Sequence, residues 1–393
     1  MSHVVEAKGK AVYNSGESFF EGTASREKFK SSRFKELALD YAADTSTRTA
    51  AKRLNRIRHE GGEGASPTTY RNLVEREGAG IQRQLKEKCE EALQGNGFSR
   101  NAELLEGAEF TANGKLHTEQ AAIENAAIKL NIWEYEATEY ELASETVNVS
   151  IDGVGVKRQT ETRPKDEGKQ QPKRVDNTVI HVQHKDNSYV LNAANLAAGM
   201  KLLIGLLLAN GLMEKQLSIF ADGARDIHNA VSNMLGFANY KVILDWYHLK
   251  KKCKEQLSMA LKGSKIRNEF LEGFLACLWF GNVGGAIKKL QSIDPEKVKN
   301  NDYIAALTDY LQRVRSHVPC YALRKELGLR NSSNLGEKAN DIIVSSRQKH
   351  NGMSWSNGGS VAFATVAAVS HNREIEQWVH HRGINFQLRK PAA

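Results

Sequence analysis

A chain of 393 residues is too long for one ordinary domain and predicts two or three. Hydrophobic residues make up 40% and charged residues 26%, the balance of a globular protein rather than a disordered or fibrous one. The net charge of +9 favours a polyanionic partner, nucleic acid first.

Four cysteines, Cys89, Cys253, Cys277 and Cys320, include no Cys-x-x-Cys pair. Neither a zinc site nor a disulfide framework is indicated, and their sparseness fits a reducing cytosol. The first residues lack the apolar core of a secretory signal. The most apolar run, Leu202 to Ala209, is too short to span a membrane. A cytoplasmic, nucleoid-associated protein without a membrane partner is expected.

Residues 1–30 are polar and irregular, which predicts a flexible arm. Phe34, Leu37, Ala38, Tyr41 and Ala42 then mark one face of a helix. A second helix, from about Thr47, turns Ala50, Ala51, Leu54 and Ile57 inward and leaves Arg48, Lys52, Arg53 and Arg56 outside. A third opens at Ser66-Pro67, a cap followed by proline at the first helical position. Three short helices with a basic second member suggest a helix-turn-helix module over 31–95. Thr68, Thr69, Arg71 and Asn72 would face DNA from its last helix. Ile81, Leu85, Cys89 and Leu93 predict a further helix leading away, closed by Gly95-Asn96-Gly97. Residues 96–145 read as a helical linker, with one helix through Ala121 to Ile128.

From residue 147 the pattern changes. Val147 to Gly153 alternates apolar and polar residues with period two, as a half-buried strand does, and ends in Asp152-Gly153. A basic, proline-containing stretch from Arg163 to Arg174 predicts a loop. Val179 to Val182 and Tyr189 to Leu191 flank a hairpin signal, and Leu196 to Leu212 is an apolar helix that should pack on the sheet. Two more strands follow, each ending in an acid: Leu217 to Asp222, and Val242 to Asp245. Antiparallel strands first, then strand-helix-strand, is the order of a ribonuclease-H-like fold. The expected fold is therefore α/β: a ribonuclease-H-like catalytic domain with an all-helical insertion, preceded by an all-α helix-turn-helix module. Residues 146–245 would form the first part of that core and 246–330 the insertion. Residues 331–393 would supply a core helix with Glu337 and a tail, the structured part closing at Trp378.

Carboxylates delivered by strand ends can present hard oxygen ligands to Mg²⁺, and two such ions clamp the attacking and leaving oxygens of a phosphoryl transfer. Ser150-Ile151-Asp152-Gly153, Phe220-Ala221-Asp222-Gly223-Ala224, Leu244-Asp245-Trp246-Tyr247-His248 and Gly336-Glu337 together resemble the DDE transposases of bacterial insertion sequences. The likeness is to the Mutator-like branch, among the ISLre and ISKra types, over about residues 145 to 380. The tail from Arg347 to Ser356 is similar to the segment that follows the glutamate in that family. The resemblance implies Asp152, Asp222 and Glu337 as the catalytic, metal-binding triad, with Asp245 and His248 as a signature beside it. It implies two Mg²⁺ ions, replaceable by Mn²⁺, and double-stranded DNA as substrate, both element ends and target. A homo-oligomer on DNA is expected, and Arg347 and Lys349 join the DNA-contacting residues. Competing readings are a ribonuclease-H-like nuclease and a domesticated DNA-binding regulator without catalysis. Two residue-level alternatives stand beside the triad: Glu337 in a capping box after Asn334, and Asp245 as a helix cap.

Overall fold

The computed structural model describes residues 3–7, 10–14, 31–57, 66–108, 110, 117–132, 139–159, 173–349 and 353–390. Most of the basic loop expected before Arg174 lies outside these residues. Two strands, β1 (His3–Ala7) and β2 (Lys10–Asn14), pair antiparallel. Part of the segment read as an irregular arm is therefore a β-ribbon.

Three helices follow, α1 (Ser32–Asp44), α2 (Thr47–Ile57) and α3 (Pro67–Gly95). Local chemistry sets where α1 and α3 start. The Ser31 hydroxyl accepts from Phe34 N, and the Ser66 hydroxyl accepts from Thr69 N ahead of Pro67. The helix expected to open at Ser66-Pro67 and the further helix expected through Ile81, Leu85, Cys89 and Leu93 are one unbroken helix of 29 residues. A glycine between the two is used for packing. A Cβ at Gly78 would come within 2.8 Å of the Ala362 Cβ, so a helix backbone can lie directly against this turn. Buried side chains of α1, α2 and α3 belong to the same hydrophobic core as the sheet. A cut within α3 would therefore divide that core.

After α4 (Gln120–Lys129) come β3 (Val147–Lys157), β4 (Arg174–His184) and β5 (Asn187–Ala193). Then follow α5 (Leu196–Ala209), β6 (Leu217–Ala221), α6 (Arg225–Met234) and β7 (Tyr240–Leu244). The five strands make one mixed sheet in the order β5-β4-β3-β6-β7. The first three pair antiparallel, and β3, β6 and β7 run parallel. Thr178 and Ile180 of β4 pack at Gly199 of α5, whereas Asn177 donates to Ser360 from the opposite face. Both faces are thus covered, which is why most residues of β4, β5 and β6 are buried whichever side they point to. Helix α5 lies between the sheet and α3, so it is apolar nearly all round, with eight of its residues buried. Each fully buried leucine there contributes about 1.5–3 kcal/mol.

The chain then turns helical: α7 (Trp246–Ala260), α8 (Ser264–Trp279), α9 (Val283–Gln291), α10 (Asp302–Val314) and α11 (Tyr321–Glu326). Helices α7–α10 build a second core, which reaches the sheet through Phe220, Ile243 and Leu244. Helix α4 packs on α11 in a third, smaller one.

The closing elements are α12 (Asn334–Asn340), a π-helical turn (Asp341–Ser345), α13 (Ser346–Gln348), α14 (Asn357–His371) and α15 (Ile375–His381). Helix α14 carries Ser360 and is buried along most of its length against α1, α3 and β5. Ordered structure continues past Trp378, because Ile384 and Phe386 are buried and Leu388 N donates to Asn210 Oδ1. Among the described residues, no helix is long and apolar enough to cross a membrane.

Candidate active site

Four acids meet where the parallel strands end. Strand β3 pairs with β6 only as far as Ser150 and Phe220, yet β3 itself continues to Lys157 along β4. Asp152 therefore lies in mid-strand rather than at the strand end expected. Its neighbour on one side has already stopped, which leaves its carboxylate at an open rim. Asp222 follows β6 directly. Its Oδ1 accepts from Ala224 N at 2.9 Å, and Gly223 takes the φ of +87° that the tight turn into α6 requires.

Asp245 follows β7 directly and is fully buried. Its Oδ1 accepts from His248 N at 2.8 Å, capping α7, and lies 3.2 Å from His248 Nδ1. Its Oδ2 accepts from both the backbone N and the hydroxyl of Ser333. Burial works against this charge, but the hydrogen bonds from His248 and Ser333 outweigh it and leave the carboxyl more acidic than usual. Asp245 is thus a helix cap, one of the two roles open from sequence. It is also the joint that ties α7 to the segment leading into α12.

Helix α12 brings Glu337. A Cβ at Gly336 would stand 2.4 Å from the Ser150 Cβ, so only glycine lets α12 lie this close to β3. Glu337 Oε1 sits 3.4 Å from His248 Nδ1. No side chain caps α12, so the capping-box alternative for Glu337 is not what the structure forms. One helical turn on, Asn340 Nδ2 donates to Asp152 Oδ2, and Asn340 Oδ1 is buried without a hydrogen-bond partner. A π-helical turn begins at the next residue, a feature often found at functional sites.

His248 is the hub. The hydrogen bond to Asp245 raises its pKa; burial opposes this, and the charges of Asp245, Glu337 and Asp222 reinforce it. Burial pushes the Asp152 carboxyl up, Asn340 counters it, and the nearby charge of Asp222 raises it further. Asp152 and Glu337 face one cleft with His248 and Lys251, and Asp222 faces an adjoining cleft that shares both. Ligand atoms of Asp245, His248 and Glu337 lie within 4.8 Å of one another. Both Asp245 oxygens already accept hydrogen bonds, so that trio is a scaffold. Asp152, Asp222 and Glu337 face the clefts with fewer bonds than Asp245, whose two oxygens each take two.

The expected DNA-facing residues divide. Arg48, Lys52, Arg53 and Arg56 are exposed along α2, and Thr68, Thr69, Arg71 and Asn72 are exposed at the free end of α3. Arg53 stands over the Tyr41 ring, and Arg71 lies 3.9 Å from Glu75. Lys349 is exposed, but Arg347 is not. Only 5% exposed, Arg347 packs its guanidinium over Trp355 and Phe363. It is a core residue, and the expectation that it contacts DNA is corrected. Sequence reasoning passed over Ser333, Asn340 and Lys251. Asn340 was within reach, since it lies three residues after Glu337 and so shares its helical face.

No model of a known protein family matches this chain, and no curated protein is similar to it at a significant level.

Proposed function

We propose that this chain is a DNA transposase of the DDE kind, cleaving and joining DNA strands at the cleft around His248. The observation that carries the reading is the convergence of Asp152, Asp222 and Glu337, from two adjacent strands and a distant helix, on one open rim. The strand order β5-β4-β3-β6-β7 supports a ribonuclease-H-like core, with helices α7–α11 as the insertion before Glu337. The residues fit a divalent cation. Crowded carboxylates leave Asp152 biased toward its neutral form despite His248 and Lys251 in the same cleft, and the unpartnered Asn340 Oδ1 lies beside it.

Mg²⁺ ions, or Mn²⁺ in their place, would be held by Asp152, Asp222 and Glu337 and would supply Lewis-acid activation of the phosphodiester. The remaining roles fall to the chain itself. Asn340 fixes the rotamer of Asp152. Asp245 orients His248 and anchors Ser333 at the start of α12, while His248 keeps Glu337 turned toward the cleft. Lys251 faces phosphates from α7. The exposed cations of α2 and the start of α3 grip DNA away from the chemistry.

The test uses duplexes taken from the flanks of the chain's own gene, incubated with Mg²⁺ and target plasmid. Strand transfer by the wild type that is lost in Asp152→Ala, Asp222→Ala and Glu337→Ala supports the reading. Strand transfer surviving in Glu337→Ala would remove that residue from the triad. Cleavage without joining would favour the nuclease, and binding without either would favour the regulator.

A further inference from the structure

The positive charge of this chain is not where the helix-turn-helix pattern places it. Residues 246–330 hold 16 Lys and Arg against eight Asp and Glu. The other 308 residues hold 39 against 38. Within them, residues 31–95 carry 12 against ten. Nearly the whole excess of +9 therefore sits on the helical insertion. Charge gathered on one face or element is the footprint of a polyanion.

Geometry connects that charge to the acid rim. The cleft beside Asp222, about 360 Å³, adjoins a second of about 610 Å³ that runs outward between α6, α7 and α10. Lys252, Tyr310 and Arg313 line both, and Arg225 lines the outer one. Arg225, Lys252 and Arg313 are exposed, whereas Tyr310 is half-buried. A Cβ at Gly223 would lie 3.1 Å from the Tyr310 hydroxyl, so α10 touches the turn that carries Asp222. The Arg313 guanidinium carbon lies 5.5 Å from the Tyr310 ring centroid, a cation–π contact that helps to orient the N–H donors along its edge. Glu255 and Asp309 are the acids on these walls beyond Asp222 itself.

We infer that this groove between α6 and the helical insertion, through Arg225, Lys252 and Arg313, holds the phosphates of the DNA strand as it leaves the acid rim. The inference rests on the reading of DNA as substrate and adds a second phosphate-gripping surface to the one on α2. A groove that joins the rim keeps the strand in register with the carboxylates, whereas cations on α2 act at a distance from them. Arginine and lysine divide the work by geometry: Arg313 can fork onto two phosphate oxygens, and Lys252 acts as a point charge.

The experiment measures anisotropy of a labelled duplex of about 30 base pairs with the full chain, in EDTA, across a KCl series. For every phosphate that the protein no longer neutralises, the slope of log K against log salt becomes shallower by about 0.9. The double variant Lys252→Ala/Arg313→Ala should flatten the slope by about two and weaken binding at low salt by at least about tenfold. Its melting temperature should match the wild type, because both side chains are exposed. Lys252→Arg/Arg313→Lys, which keeps both charges, should retain the wild-type slope. An unchanged slope in the alanine variant overturns the inference, as does a wild type with no affinity for the duplex. Mg²⁺-dependent cleavage is scored separately. Groove-dependent binding without cleavage defeats the catalytic reading alone, and cleavage with an unchanged slope defeats the groove alone.

Discussion

Strand β6 has an acid network at each end, and the two are built in opposite ways. Beside its N-terminal half, Ser218 donates to Glu141, and Glu141 receives both of its bonds to Arg324 from Nη1 at 2.9 Å. Glu141 and Arg324 are almost fully buried. Burial opposes the charge on Glu141, yet Arg324 and Lys241 overcome it and hold its pKa down to about 2. Just past the other end, Asp222 joins Asp152, Asp245 and Glu337 around one imidazole, and Asp152 is pushed up instead. A structural acid is sealed with its own counter-charge. A cluster left open and short of positive charge is a candidate for binding something.

Substitutions should separate the two ends. The largest effect is on activity: Asp152→Ala or Asp222→Ala should cost about four orders of magnitude in strand transfer, ~5 kcal/mol of transition-state stabilisation. Binding to DNA should change little, because on the proposed reading affinity comes from phosphate contacts elsewhere. Asp152→Asn should also raise the melting temperature, since it relieves a charge that the fold disfavours. Mg²⁺ should raise the melting temperature of the wild type and leave that of Asp152→Ala unmoved. A lower melting temperature in Asp152→Asn would make the rim structural and erase the contrast.

Next in size, Glu141→Ala should destabilise the fold by about 3–5 kcal/mol, because it strands Arg324 without a partner. Chemical denaturation measures this, and activity per folded molecule should stay near the wild type. The same pair sets an acid limb. Glu141 ionises far more readily in the fold than its usual 4.5, so the unfolded chain binds more protons below that value. Its stabilisation is complete above pH 4.5 and is lost as pH falls toward 2, on the order of 3 kcal/mol. Glu141→Gln should remove most of that limb from a melting-temperature profile.

Smaller effects test the joint and the remote surface. Asp245→Ala should cost about 1–2 kcal/mol through removal of the α7 cap and slow strand transfer further by loosening His248 and α12. Arg53→Ala should weaken binding to all duplexes and flatten the salt dependence. Arg71→Ala should cost about 1–3 kcal/mol on the cognate end alone if it contacts a base edge. Equal losses on cognate and scrambled duplexes would reduce the first three helices to a basic surface.

What the sequence determined by itself is local. The hydroxyls of Ser31 and Ser66 start α1 and α3, Asn195 starts α5, and Asp245 starts α7, because a cap needs only a neighbour three residues on. The three strand-plus-acid stretches were legible for the same reason, as the alternation and the apolar runs are properties of short windows. Tertiary structure decided the rest. Arg347 looked like a DNA contact, since nothing within four residues says that Trp355 and Phe363 will enclose it. Glu141 and Arg324 are 183 residues apart, and Asn340 and Asp152 are 188. Such pairs carry no periodic signal. Their side chains meet because the chain packs into shared cores, and that packing, rather than any local preference, selects each partner.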